Sequence, residues 1–120
     1  MRLSQYLGRP VIVNFWASWC GPCRDEFPQF VAARSQYASA GLEILGIVHQ
    51  DSADAALAFA TSHGATWPLL MDPSDVAWTA FRVSVGIPTT FFIDREGIVR
   101  AVSYGPVTPA SLPGELSTIL

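Results

Sequence analysis

A pair of cysteines constrains this chain more than any other feature. Cys20 and Cys23 are the only cysteines in 120 residues, so several disulfides cannot hold the fold together. A structural zinc site needs about four ligands, and the two histidines, His49 and His63, lie apart and far from the pair. A purely structural disulfide across so short a loop would constrain the unfolded chain very little. The C-x-x-C spacing therefore favours a redox-active pair over a zinc site or a structural disulfide.

The residues around the cysteines predict a strand, a tight turn and a helix. Residues 11–16, VIVNFW, form a β-branched and aromatic run typical of a buried strand. Pro22 fits the first turn of a helix, and we expect Asp25 and Glu26 to lie in that first turn. Cys20 then lies at the helix N-terminus, at the sheet edge where open α/β proteins place their sites, and a lowered thiol pKa is expected there.

The rest of the chain continues the alternation of strands and helices. After the first helix, which is expected to end near Gly41, the pattern predicts four more strands and three more helices. The strands are expected at 43–48, 67–71, 89–94 and 98–103, with a hairpin turn at Gly97, and the helices at 55–60, 76–81 and from 109 or 112 to 120. The order predicts an α/β fold in which helices cover both faces of a mixed central β-sheet.

Size and charge limit the domain organisation and the kinds of partner that this chain can have. The chain is 50% apolar and long enough for one core, so residues 1–120 are expected to form a single domain and a monomer. Its seven basic residues are scattered arginines and its net charge is −3, so no nucleic-acid partner is expected. No apolar run reaches the roughly 18 residues needed to span a bilayer, and residues 1–4 do not follow the pattern of a secretion signal. No metal and no cofactor are expected.

Two segments carry a resemblance to a known family. Residues 15–23, FWASWCGPC, together with residues 86–91, GIPTTF, resemble the thioredoxin superfamily. Residues 13–28 and 90–97 are most similar to the TlpA/ResA-like group of extracytoplasmic bacterial thiol-disulfide oxidoreductases, and the extra helix between 43 and 67 is similar to the insertion of that group. The resemblance implies a thioredoxin-like fold with this helix insertion, and it implies that the N-terminal β-hairpin of the group is missing here.

The resemblance and the position of the cysteines together give each site residue an expected role. Cys20, nearer the exposed end, is the expected attacking thiolate, and Cys23 is the expected resolving thiol. The resemblance implies a cis peptide bond before Pro88 and a backbone at Ile87 with which an extended substrate segment can pair. The expected substrate-binding residues are Trp19, Gly21, Pro22, Ile87 and Pro88.

Two departures from related proteins affect the mechanism. Cytoplasmic thioredoxins carry a buried aspartate in the strand before the cysteines, whereas this chain has Asn14 there. Glu26 lies one helical turn beyond Cys23 and is either the replacement proton acceptor, as the resemblance favours, or a carboxylate that complements the helix dipole. Thr89 follows Pro88, where cytochrome c maturation thioredoxins usually carry glutamate, which argues against that dedicated role.

These features together predict a thiol-disulfide oxidoreductase that acts through a mixed disulfide, and the resemblance implies that it reduces protein disulfides. The resemblance implies substrates such as apocytochrome c or copper-delivery proteins, and re-reduction by a CcdA-like membrane electron donor. An extracytoplasmic location with a membrane anchor is expected, or a cytoplasmic general thioredoxin if Met1 is the native start. A thioredoxin-fold binding module is a further alternative, whereas a peroxiredoxin is disfavoured because Ala17 stands where a threonine is needed.

Overall fold

A computed structural model describes residues 3–120 as a five-stranded mixed sheet with α-helices on both faces. The strands are β1 (Val11–Trp16), β2 (Glu43–Val48), β3 (Leu69–Met71), β4 (Thr89–Ile93) and β5 (Val99–Tyr104). The helices are α1 (Gly21–Gln36), α2 (Ala53–Ser62), α3 (Val76–Ala80) and α4 (Leu112–Ser117). Short 3₁₀ turns occupy Leu3–Tyr6 and Ala38–Ala40. The predicted α/β class, the mixed sheet and the helix inserted between β2 and β3 are confirmed.

The strand order in the sheet is β3-β2-β1-β4-β5. β1, β2 and β3 are parallel, because a helix returns the chain between each pair, and β4 runs antiparallel to β1. Phe15 of β1 lies opposite Thr89, the first residue of β4. The C-terminal end of β1 and the N-terminal end of β4 therefore meet at one edge of the sheet.

Alternation along β1 separates two cores. Ile12 and Trp16 pack on one face with side chains from α1, α2 and α4. Val13 and Phe15 pack on the other face, against α3 and Phe81. Asn14 lies between Ile12 and Trp16 in this alternation, so its polar side chain points into the face that α1 covers.

Two predicted boundaries differ from the structure for identifiable reasons, and a third was predicted with two alternative starts. α1 ends at Gln36, and a 3₁₀ turn carries the chain on to Gly41, whose φ is 83°. β3 begins at Leu69 because Pro68, just before it, has no N–H for the ladder. α4 begins at the later of the two predicted starts, and Pro113 occupies its first turn.

Gly97 lies in the β4–β5 turn with φ 82°, as predicted. The expectations placed on Met1 and Arg2 fall outside the described residues. Within residues 3–120, no helix has the length and apolar character that a membrane crossing requires.

Candidate redox site

Cys20 lies where β1 gives way to α1. After Trp16 ends the strand, a turn forms in which the Cys20 N–H donates to the Ala17 carbonyl over 3.2 Å. Cys20 is the N-cap of α1, and its Sγ accepts a hydrogen bond from the Cys23 N–H over 3.3 Å. The sulfur therefore sits at the positive end of a 16-residue helix, where backbone N–H groups stabilise negative charge.

The two cysteines form a disulfide and differ in their exposure. Cys20 retains 6% of its surface, whereas Cys23 is fully buried against the core of the α1 face. Of the two cysteines, only Cys20 therefore retains surface that an incoming sulfur atom could contact.

Glu26 lies one helical turn beyond Cys23 and has no exposed surface. One carboxylate oxygen, Oε1, accepts from Asn14 Nδ2 over 3.1 Å. The other, Oε2, accepts from the Val107 backbone N–H over 2.7 Å. α1 begins at Gly21, so Asp25 and Glu26 lie in its second turn, and the prediction that they occupy the first turn is wrong. Glu26 is thus a buried, hydrogen-bonded carboxyl group and not a surface charge at the helix start.

Strand register explains how the partners of Glu26 come together. Asn14 and Thr90 are opposite one another in the β1–β4 pair. The two amide hydrogens of Asn14 therefore reach two oxygens, Glu26 Oε1 and Thr90 Oγ1, the latter over 3.0 Å. Asn14 supplies donors where a strand aspartate would supply a second negative charge beside Glu26.

The environment of Glu26 changes its acidity. Burial disfavours the charged carboxylate and raises the pKa of Glu26 from 4.5 to about 7. The hydrogen bonds from Val107 and Asn14 oppose this rise, and the negative charge of Glu115 adds to it. A carboxyl group with a pKa near neutrality can both accept and return a proton under physiological conditions.

The remaining predicted site residues surround the disulfide at the sheet edge. The Ile87–Pro88 peptide bond is cis, as expected, and Pro88 leads directly into β4. Ile87 is half-buried and packs against both cores. Gly21 and Pro22 are exposed at the start of α1, and Trp19 keeps 59% of its surface. All five predicted substrate-binding residues thus adjoin the ends of β1, α1 and β4.

Sequence reasoning missed three contributors to the site, Thr90, Val107 and Glu115. Period-two alternation marks Thr90 as a partner for Asn14 once the β1–β4 register is known. Nothing local marks Val107, which lies in the segment after β5 and is 81 residues from Glu26. Among residues 3–120, no group of three or more potential metal ligands comes together.

The fold and the cysteine pair define a thioredoxin-like thiol-disulfide oxidoreductase. Residues 1–102 match the model of the AhpC/TSA family, and the chain belongs to that family. It is 35% identical over 118 residues to the thiol-disulfide oxidoreductase ResA of Geobacillus kaustophilus, covering 98% of this chain and 67% of that protein. It is 32% identical over 114 residues to the thiol:disulfide interchange protein HelX of Rhodobacter capsulatus, covering 94% of this chain and 62% of HelX.

A solved structure agrees with this assignment. A putative thiol:disulfide interchange protein DsbE from Chlorobium tepidum superposes with a TM-score of 0.88 at 31% identity, over 98% of this chain and 84% of that one. The predicted thioredoxin-like fold and the predicted thiol-disulfide oxidoreductase class are confirmed. Protein thiols and disulfides are accordingly the substrate class.

Proposed function

We propose that the chain is a reductase of protein disulfides, with Cys20 as the attacking sulfur and Cys23 as the resolving one. The observation that carries this proposal is the arrangement along α1: a cysteine at the N-cap that retains 6% of its surface, a fully buried partner cysteine, and a buried carboxyl group one turn further on. Residues 1–120 act as one domain and as a monomer in this proposal.

The reaction transfers two electrons to the target. The Cys20 thiolate attacks one sulfur of the target disulfide, that disulfide breaks, and its other sulfur leaves as a thiolate that takes up a proton. Cys23 then loses its proton to the Glu26 carboxylate and attacks Cys20 Sγ. The mixed disulfide breaks, the second target sulfur leaves reduced, and the Cys20–Cys23 disulfide remains.

The surroundings assist each step in a different way. The N-terminus of α1 stabilises the Cys20 thiolate before attack and as a leaving group. Glu26, with a pKa raised to about 7 by burial, is ionised often enough near pH 7 to accept the proton of Cys23. Trp19, Gly21 and Pro22 offer the docking surface beside Cys20, and Ile87 with Pro88 offers backbone to an extended target segment.

The physiological setting is also part of the proposal. The similarity to the TlpA/ResA-like group supports an extracytoplasmic location and re-reduction by a CcdA-like membrane electron donor. Cysteine pairs of apocytochrome c or of copper-delivery proteins are the proposed targets. Thr89 follows Pro88, where cytochrome c maturation thioredoxins usually carry glutamate, and this difference supports a target range that is not confined to apocytochrome c.

The reduction potential of the Cys20–Cys23 couple tests the direction of electron flow. Equilibration in thiol-disulfide buffers, followed by tryptophan fluorescence, measures it directly. We expect a value near that of thioredoxin, about −270 mV, which makes the protein an electron donor. A value near that of DsbA, about −120 mV, would mean that the protein forms disulfides and would overturn the proposed direction.

A further inference from the structure

The loop after β2 runs beside the turn that carries Cys20. The His49 N–H donates to the Trp16 carbonyl over 2.9 Å, which extends the β1–β2 pairing by one step. The Asp51 carboxylate oxygen Oδ2 accepts from the Ser18 N–H over 2.8 Å. The Trp19 indole Nε1–H donates to the Gln50 carbonyl over 2.9 Å. We call residues 49–51, with these three contacts, the site clamp.

Two features indicate that contacts hold the site clamp in one defined conformation. Gln50 has a φ of 47°, a left-handed conformation that residues other than glycine seldom adopt and that its surroundings must hold in place. The other Asp51 oxygen, Oδ1, accepts from the Ser52 N–H over 2.9 Å, so both carboxylate oxygens are used. Burial opposes ionisation of Asp51, but hydrogen bonds from Ser18 and Ser52 keep its pKa below the usual value.

The site clamp fixes the most exposed aromatic side chain beside the disulfide. Trp19 precedes Cys20 and keeps 59% of its surface while its indole nitrogen is bonded to Gln50. A large aromatic ring held in one orientation before binding loses little conformational freedom when a protein docks on it. A small-molecule disulfide substrate needs only the Cys20 sulfur, and the Trp19 ring adds little to its binding.

We propose that Asp51 is a positioning residue that holds the Ser18–Trp19 turn, and with it the Trp19 ring, ready for protein substrates. Asp51 does not touch the reacting sulfurs in this proposal; it acts through Trp19. The inference rests on the proposed docking role of Trp19 and on disulfide exchange, whatever the direction of electron flow.

Comparison of two disulfide substrates tests the inference. Reduction of insulin and of oxidised glutathione, both with dithiothreitol as reductant, is measured for the whole chain and for Asp51→Ala. We expect the KM for insulin to rise about tenfold, the loss typical of a hydrogen bond to a charged group, with kcat for insulin and turnover of glutathione within twofold. Asp51→Asn keeps one acceptor oxygen and is expected to restore the KM to within about threefold of the original.

Two further variants make the outcome decisive. Asp54→Asn removes an exposed carboxylate in the first turn of α2, outside the site clamp, and is expected to leave both substrates unaffected. Trp19→Ala tests the docking role itself and is expected to raise the insulin KM at least as much as Asp51→Ala. If Trp19→Ala raises the insulin KM and Asp51→Ala does not, the positioning role of Asp51 is wrong. If Trp19→Ala leaves the insulin KM unchanged, the docking role of Trp19 is wrong and the inference about Asp51 is wrong with it. If Asp51→Ala loses activity equally with insulin and with glutathione, Asp51 controls the exposure of Cys20 and does not act through Trp19. That result would also overturn the proposal.

Discussion

Replacement of Glu26 by glutamine should change how the stability of the protein depends on pH. In the oxidised protein, burial raises the pKa of Glu26 from 4.5 to about 7. Between these two values the folded state holds a proton that the unfolded state has released. The free energy of unfolding therefore falls as the pH rises through this window, by 1.36 kcal/mol for each unit of pKa difference, or about 3 kcal/mol in total.

Glu26→Gln removes this titration while it keeps the size of the side chain. A glutamine has one acceptor oxygen where the carboxylate has two, so the variant can keep the bond from Val107 and turn its amide NH₂ toward Asn14. Rotation of the Asn14 amide would then offer an oxygen in place of a donor. We expect a cost of about 1 kcal/mol at pH 5 from imperfect pairing, and a gain over the original protein at pH 8.

Urea unfolding followed by tryptophan fluorescence at pH 5, 6, 7 and 8 measures the effect. The difference in unfolding free energy between Glu26→Gln and the original protein should shift by about 2 to 3 kcal/mol in favour of the variant over this range. Glu96→Gln, which removes an exposed carboxylate in the β4–β5 turn, should follow the pH profile of the original protein.

Asp51 and Asp94 have lowered pKa values, so they change the free energy of unfolding below about pH 4. Their contribution is the same in all three proteins and cancels in this comparison. A constant difference between Glu26→Gln and the original protein from pH 5 to pH 8 would refute the reasoning. Such a result would mean that Glu26 titrates normally despite its burial, and it would remove the basis for its role in proton transfer.

Three further results follow from the same contacts. In stopped-flow kinetics, Glu26→Gln should slow resolution of the mixed disulfide by about 10²-fold or more while the initial attack stays within twofold; equal effects on both steps would exclude a role as proton acceptor. Glu115→Gln should move the pH midpoint of that resolution step to lower pH, because the charge of Glu115 raises the pKa of Glu26; an unmoved midpoint would show that the two groups do not interact. Gly46→Ala should lower the free energy of unfolding by about 1–3 kcal/mol, since a Cβ there would lie 2.9 Å from Leu69 Cδ2. Gly114→Ala, with no atom within 4 Å, is the control: because Gly114 lies in α4, its urea midpoint should stay the same or rise slightly, and a lowered midpoint in both variants would show that the loss at Gly46 is not steric.

Local sequence patterns were sufficient to predict the reactive segment. The apolar run of β1, the proline at position 22 and the C-x-x-C spacing are all properties of neighbouring residues, and each of them predicts the local conformation correctly. The five strands and four helices were likewise predicted in order, because each carries its own periodicity and its own start or stop residue.

The partners of the buried carboxyl group could not be predicted in this way. Thr90 lies 76 residues from Asn14, and Val107 lies 81 residues from Glu26. Their meeting depends on strand register and on where the segment after β5 crosses α1, and both are products of the whole fold. The site clamp is similar, since the pairing of Asp51 with Ser18 depends on the loop after β2 reaching back across the end of β1.

Trapping of the mixed disulfide tests the central claim most directly. Reduced Cys23→Ser protein, incubated with a disulfide-bonded protein and quenched with acid, should accumulate a covalent adduct in which mass spectrometry finds the target sulfur on Cys20. Cys20→Ser should form no such adduct, because Cys23 is buried behind it. An adduct on Cys23, or equal adducts in both variants, would contradict the assignment of Cys20 as the attacking sulfur.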